Sequence, residues 1–588
     1  MEKFLDTITA EMKRAFAACG YEEELAKVTL SNRPDLCEYQ CNGAMAAAKK
    51  YKKKPIDIAN EVVKELQGSG LFSEASAVMP GFINLKIAEA FLSYYMNGMK
   101  NSEKLGLEEV RDKRTVIVDY GGANVAKPLH VGHLRAAVIG EAIKRMGRFV
   151  GHRVIGDVHL GDWGLQMGLI IEELKDREPA LPYFREGYAG AYPPEAPFTI
   201  AELEEIYPAA SAKAKTDDAF KERAQEATFK LQNGYAPYRA LWEHIMRVSL
   251  ADLKKNYANL QVEFDLWKGE SDAQPYIPDM VQSLIDKGLA YESQGALVVD
   301  IAEDTDSKEL PPCIIRKSDG ASLYATSDLA TIVEREKDFK PDHYIYVVDK
   351  RQELHFTQVF RVAKKAGITA ADRRMDFVGF GTMNGKDGKP FKTREGGVMR
   401  LESLIAEISE AAYGRIMENR TVSEEEAKET AKLVGLAALK YGDLSNQATK
   451  DYVFDIERFI SFEGNTGPYI LYTIARINSI LKKYSESFGE AAVTEIQAPV
   501  SEPEKTLMLS LARFSEVMHT SFEELAPHKI CAYIYELSNA LNHFYHETKI
   551  LAQEDEGKRN GYIGLITLTR ECLLTCIDLL GFEAPERM

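Results

Sequence analysis

A chain of 588 residues has room for three or four domains, and 45% apolar with 10% aromatic content marks a globular protein, not a disordered one. A net charge of −17 argues against a purely electrostatic nucleic-acid binder, although an acidic enzyme can still carry a local basic face. The seven cysteines include no CxxC pair, so they read as buried apolar side chains in a reducing compartment and not as zinc ligands.

In chain order, MEKFLDTITAEMKRAF places Phe4, Leu5, Ile8, Met12 and Phe16 at helical spacing, and its scattered charges are unlike a signal peptide. No apolar run approaches ~18 residues, so no membrane span is expected and the cytoplasm is the simplest location. PIDIANEVVKEL has helical period, GFINLKI alternates as a strand, and SEKLGLEEVRDKR is a charged connection. RTVIVDY, HLRAAVIGEAIKRMGRFVG and HRVIGDV then predict strand, helix and strand, a βαβ unit of a parallel sheet. From about 175 to 265 a loop rich in Pro, Gly and Tyr leads into helical segments. Strand signals resume at GALVVDI, HYIYVVD and MDFVGFGTM, so the interruption reads as an insertion between two halves of that sheet. Ser423 and Glu426 form a capping-box pattern, after which nearly everything to residue 588 has helical period. The fold class is therefore multidomain α/β. An α+β domain over 1–108 precedes a Rossmann-like parallel-sheet domain over 109–420, and an all-α bundle over 421–588 follows.

The turn HVGH, 130–133, follows the first strand of the sheet and opens a helix. Ligands of doubly wound sheets sit at such strand ends, and a helix N-terminus favours an anion. Histidines there can donate to phosphate oxygens, Gly132 leaves its backbone open to a flat base, and Lys127 adds a cation. With 11 histidines and 41 glycines, HxGH should arise by chance roughly 0.014 times in this chain, so the tetrapeptide carries information.

ANVAKPLHVGHLR resembles the HIGH motif of class I aminoacyl-tRNA synthetases, in the variant typical of the arginyl family. The resemblance implies that His130 and His133 hold the ATP phosphates and stabilise the departing pyrophosphate. It also implies a mobile cationic loop, matched by NGKDGKPFKTREGGVM, with Lys386, Lys389, Lys392 and Arg394 within nine residues. Lys389 to Thr393 reads as KxxKT, yet a second alignment puts Phe391 in the methionine slot, and Lys127 is then the substitute cation. Tyr324 and Asp328, four apart on one helical face, are assigned by the resemblance to a guanidinium. Asp119 and Asn124 are assigned to the α-amino end and Gln352 to a further contact. Trp163 and Gln166 in HLGDWGLQMG match the floor of the site.

The resemblance spans nearly the whole chain. Its first domain, marked by CNGAMAAAKKYKKKPIDIA and GFINL, implies contact with the tRNA corner through Lys49, Lys50 and Asn84, beside Lys52, Lys53 and Lys54. FISFEGNTGPYILYTIARINSIL begins a DALR-type anticodon-binding domain, with Tyr469, Tyr472, Arg476, Phe544 and Tyr545 as candidates for stacking on bases; Leu471 stands where many members have glutamine. The implied partners are ATP with magnesium, L-arginine and tRNA(Arg), acting on a monomer with no protein-held metal and no membrane. The family also implies that tRNA must bind before arginine is activated. A cysteine-specific synthetase would want zinc-binding cysteines in its pocket, and a noncatalytic RNA-binding relative would be expected to lose the histidines or the loop cations.

Overall fold

A computed structural model describes residues 1–318, 323–391, 399–418, 423–489 and 495–588. The chain divides into two compact units, one of Met1–Arg111, Ile416–Ala437 and Ile460–Met588, the other of Asp112–Arg415 and Ala438–Phe459.

The first unit contains a four-stranded antiparallel sheet in the order Val28–Leu30, Tyr39–Cys41, Phe82–Ile87, Phe72–Val78. The helix Phe4–Ala18 buries Phe4, Ile8, Met12 and Phe16, as their spacing predicts. Within this unit the first hundred residues are fastened to the last. Lys505 pairs with Glu38 at 2.7 Å and Glu89 at 3.1 Å, and Ser93 Oγ donates to the Ile496 carbonyl at 2.6 Å. The C-terminal helices are Gly467–Phe488, Glu502–Ala512, Phe514–Glu523, Pro527–Glu547 and Glu556–Leu579.

The second unit is built on a five-stranded, all-parallel sheet in the order Arg374–Phe380, His343–Asp349, Thr115–Tyr120, Arg153–Leu160, Leu266–Gly269. From Thr115–Tyr120 the chain builds outward in one direction, then returns to add His343–Asp349 on the other side. The crevice between these two neighbours, at their C-terminal ends, is the topological switch point where such sheets bind ligands. The helices Ile200–Lys213, Asp218–Gln232 and Ala236–Asn259 occupy the expected insertion.

One expectation needs correcting. The segment GALVVDI forms Ala296–Val299, but it lies in a separate antiparallel sheet with Ala290–Ser293 and Cys313–Arg316. The strand that extends the parallel sheet is Leu266–Gly269, whose four residues are too few to show a period. After 421 the described elements are helices apart from the two-residue strand Tyr452–Val453, which pairs in parallel with Met383–Asn384.

Candidate active site

His130 is the N-cap of the helix Val131–Phe149, with extended backbone at φ −119°. Its Nδ1 accepts from the Gly132 N–H at 3.0 Å, while its own N–H donates to His133 Nδ1 at 3.2 Å. The two histidines therefore make a reciprocal cap that leaves the proton of each neutral ring on Nε2. Burial first, then the Lys127 charge, lowers His130; burial and its neighbour His130 push His133 down to about 3. Two neutral N–H donors therefore stand at a helix N-terminus. A side chain on Gly132 would collide with the His130 ring, 2.7 Å from Cε1, so only glycine completes the turn. The Lys127 ammonium lies 4.5 Å from the ring centre of Tyr207, on the insertion helix Ile200–Lys213.

The cationic loop is described at its two roots. Lys389 is exposed, and Lys386 pairs with Asp455 at 3.1 Å. Lys392 and Arg394 lie outside the described residues. On the return, the Val131 N–H donates to the Met399 carbonyl at 3.1 Å and the Leu401 N–H to the Leu129 carbonyl at 2.9 Å, beside HVGH. Arg400 pairs with Glu204 of the insertion helix at 2.7 Å.

Tyr324 and Asp328 stand on the first turns of the helix Tyr324–Asp338. Tyr324 is 72% exposed. Asp328 meets His355 Nε2 at 2.5 Å. Beside them is Glu270, a residue that no local spacing singles out. Burial pushes its carboxyl up to about 7, with the charges of Asp162 and Asp328 adding to the shift against His159 and a hydrogen bond from the Trp163 backbone. Burial first, then the charge of Glu270 and the nearby Tyr207, raise the Tyr324 phenol. Glu270 directly follows the strand Leu266–Gly269, whose Gly269 is level with Leu160.

Asp119 is already engaged. Tyr346, Asp119 and Asp157 are level on three adjacent strands, and buried Arg335 reaches all of them, at 3.1, 2.6 and 2.7 Å. Asn124 is half-buried and bridges to Gly161, whose carbonyl accepts from Gln166 Nε2. Gln352 is exposed, just past the strand His343–Asp349. Trp163 is buried with Arg239 4.5 Å from its ring centre. Among the described residues, both His159 ring nitrogens and Trp163 Nε1 are buried without a hydrogen-bond partner.

In the first unit, the Arg476 guanidinium lies 4.9 Å from the ring centre of Tyr472 and 5.5 Å from that of Tyr545. These residues, with Lys482, Lys483 and Arg570, line a concavity of about 940 Å³. Tyr469 donates to Asn539 at 2.6 Å, whereas Phe544 is fully buried against Tyr562 and belongs to the core. Lys49 is exposed, Lys50 pairs with Glu22, and Asn84 is buried and accepts from Gln40 at 2.9 Å.

The family described as tRNA synthetases class I (R), catalytic domain, matches residues 96–456, the arginyl tRNA synthetase N-terminal domain matches 2–87, and the DALR anticodon-binding domain matches 470–588. The arginine–tRNA ligases of Agathobacter rectalis and Alkaliphilus oremlandii are 60% and 58% identical, each over 100% of both chains. The crystal structure of arginyl-tRNA synthetase from Plasmodium falciparum superposes with a TM-score of 0.82 at 25% identity, and that from Thermus thermophilus with 0.79 at 22%, each covering 100% of both chains. The chain belongs to the arginyl-tRNA synthetase family, an enzyme class that uses ATP to join arginine to tRNA.

Proposed function

We propose the following division of labour within that reaction. The arginine carboxylate attacks the α-phosphorus of ATP, the bond to the bridging oxygen breaks, and pyrophosphate leaves. His130 and His133 donate from Nε2 to the oxygens where that charge grows, and Lys127, Lys389, Lys392 and Arg394 close over the leaving group. Gly132 leaves the adenine face open. A terminal ribose hydroxyl of tRNA(Arg) then attacks the arginyl carbonyl and AMP departs. Magnesium travels on the ATP phosphates.

Asp328 and Glu270 take the two edges of the guanidinium, with the Tyr324 hydroxyl alongside. A planar fork of N–H donors satisfies two carboxylates, whereas a lysine ammonium leaves acceptors unmet. Asp119, through the oxygen not given to Arg335, and Asn124 receive the α-amino group, and Gln352 closes the rim. The observation that most supports this reading is the reciprocal cap of His130 and His133, which turns both Nε2 donors free of the backbone at the helix N-terminus, beside the point where the cationic loop returns. Charging total tRNA with each of twenty labelled amino acids tests it. Wild type should charge arginine alone, and Asp328→Ala should lose arginine use while retaining ATP binding; undiminished charging by Asp328→Ala would overturn it.

Lys49, Lys50 and Asn84 in the domain ending near 108, and Tyr469, Tyr472 and Arg476 in the helical domain beginning near 421, contact tRNA. The protein works as a cytoplasmic monomer; no helix among the described residues is long and apolar enough to cross a membrane. Arginine activation waits for tRNA, and an ATP–pyrophosphate exchange assay running at full rate without tRNA would refute this.

A further inference from the structure

Arg135 follows His130 by five residues on the helix that HVGH opens, and its side chain is 2% exposed. Its Nε donates to Asp443 Oδ2 at 2.9 Å, and its Nη1 donates to the carbonyls of Gly381 at 2.8 Å and Lys450 at 3.0 Å. Tyr452 Oη donates to the same Asp443 oxygen at 2.8 Å, and the Tyr452 ring centre lies 5.0 Å from the guanidinium. Gly381 is the residue from which the chain enters Met383–Asn384 and then Lys386 and Lys389. A side chain there would strike Asp451 and the Lys450 backbone, so glycine is what lets the two segments approach. Asp451 completes the root, accepting from the Thr382 N–H and the Lys350 ammonium at 2.7 Å each. Met399 and Leu401 are bonded to Val131 and Leu129, so Gly381 on one side and Met399 and Leu401 on the other are all fastened to the first turns of one helix.

The energetics say what this buried pair is for. Desolvating an arginine and an aspartate offsets much of their attraction, so a buried ion pair is weak support for a fold. Here the balance is poorer still, because Arg135 Nη2 and Asp443 Oδ1 are buried without partners among the described residues. An apolar filling would hold the helices together as well. What a rigid guanidinium fork adds is direction: it fixes one carboxylate and two carbonyls relative to the helix that presents the histidines.

We propose that Arg135, with Asp443 and Tyr452, forms a positioning strut that sets Lys389 at working distance from His130 and His133. The inference rests on the phosphate-gripping role given to that loop above. The test is ATP–pyrophosphate exchange by the full chain with tRNA present, for wild type, Tyr452→Phe, Lys389→Ala and the double variant, with thermal midpoints recorded. Tyr452→Phe removes one hydroxyl and keeps the ring. It should lower kcat about tenfold with the arginine KM within about twofold, and by less than about twofold once Lys389 is already alanine. Arg135→Lys, which keeps the charge and loses the fork, should reproduce the kcat loss. An equal kcat factor in both backgrounds, or a drop in midpoint with kcat unchanged, would make the cluster merely structural and overturn the strut alone. An inert Lys389→Ala would instead overturn the role of the loop, and the strut with it.

Discussion

His133 receives the backbone N–H of His130 on Nδ1, and the two rings lie 4.0 Å apart, centre to centre. The folded chain thus keeps His133 neutral down to about 3, mainly by burial, whereas an unfolded histidine takes its proton near ~6.5. Between these values the unfolded state binds the extra proton, so stability is full above the unfolded value and falls as pH drops toward the folded one. His133→Gln should flatten the stability–pH slope between pH ~6 and ~4 by up to about 1.4 kcal/mol per pH unit. Urea unfolding at a series of pH values measures this; identical slopes in the two proteins would mean that His133 titrates normally.

Glu270 shifts the other way, up to about 7. Its protonated form favours the folded state fully below the unfolded value, near ~4.5, and that contribution is lost as pH rises through about 7. A guanidinium prefers the ionised carboxylate, so arginine affinity should rise over the same interval. We expect the arginine KM to fall roughly tenfold from pH ~6 to ~8, and Glu270→Gln to abolish the trend while weakening arginine at every pH. A wild-type KM that is flat across this range would remove Glu270 from the guanidinium slot.

Tyr207 offers its ring face to the Lys127 ammonium. Such a contact is worth about 0.5–1 kcal/mol at a partly exposed site. Tyr207→Leu should therefore raise the ATP KM by about two- to fivefold, and Tyr207→Phe should stay close to wild type. Equal losses in the two variants would show that the hydroxyl, not the ring, matters.

Arg335 is buried between two carboxylates, Asp119 and Asp157. Removing the cation strands both charges. Arg335→Met should cost about 3–5 kcal/mol in chemical unfolding followed by tryptophan fluorescence. A loss below about 1 kcal/mol would show that the two acids relax without their partner.

How much of this was legible beforehand depends on the range over which the residues act. HVGH could be placed because strand, turn and helix are contiguous, and Tyr324 with Asp328 because helical periodicity sets their spacing. The reciprocal histidine cap was not readable, since which ring nitrogen accepts depends on backbone angles at the turn. Glu270 was not singled out because parallel pairing of a four-residue edge strand carries it beside the helix of Tyr324 and Asp328, and such pairing has no local signature; an acid just past a strand end, in LWKGES, was the available hint. Arg335 finds Asp119 across 216 positions, and Arg135 finds Asp443 across 308. Phe544 is the converse case, an aromatic in the expected helix whose ring the fold turns into the core.

Lys505 reaches back 416 positions to Glu89. A ribosome adding ~5–20 residues per second delivers that lysine roughly 20–80 s after the glutamate emerges. The leading segment therefore spends most of synthesis with Glu38 and Glu89 lacking their lysine partner, and its last contacts are made only when the final helices arrive. Nascent chains halted before Lys505 should accordingly be cleaved more readily in their first hundred residues than released full-length protein, which makes completion of the unit a late checkpoint in biogenesis.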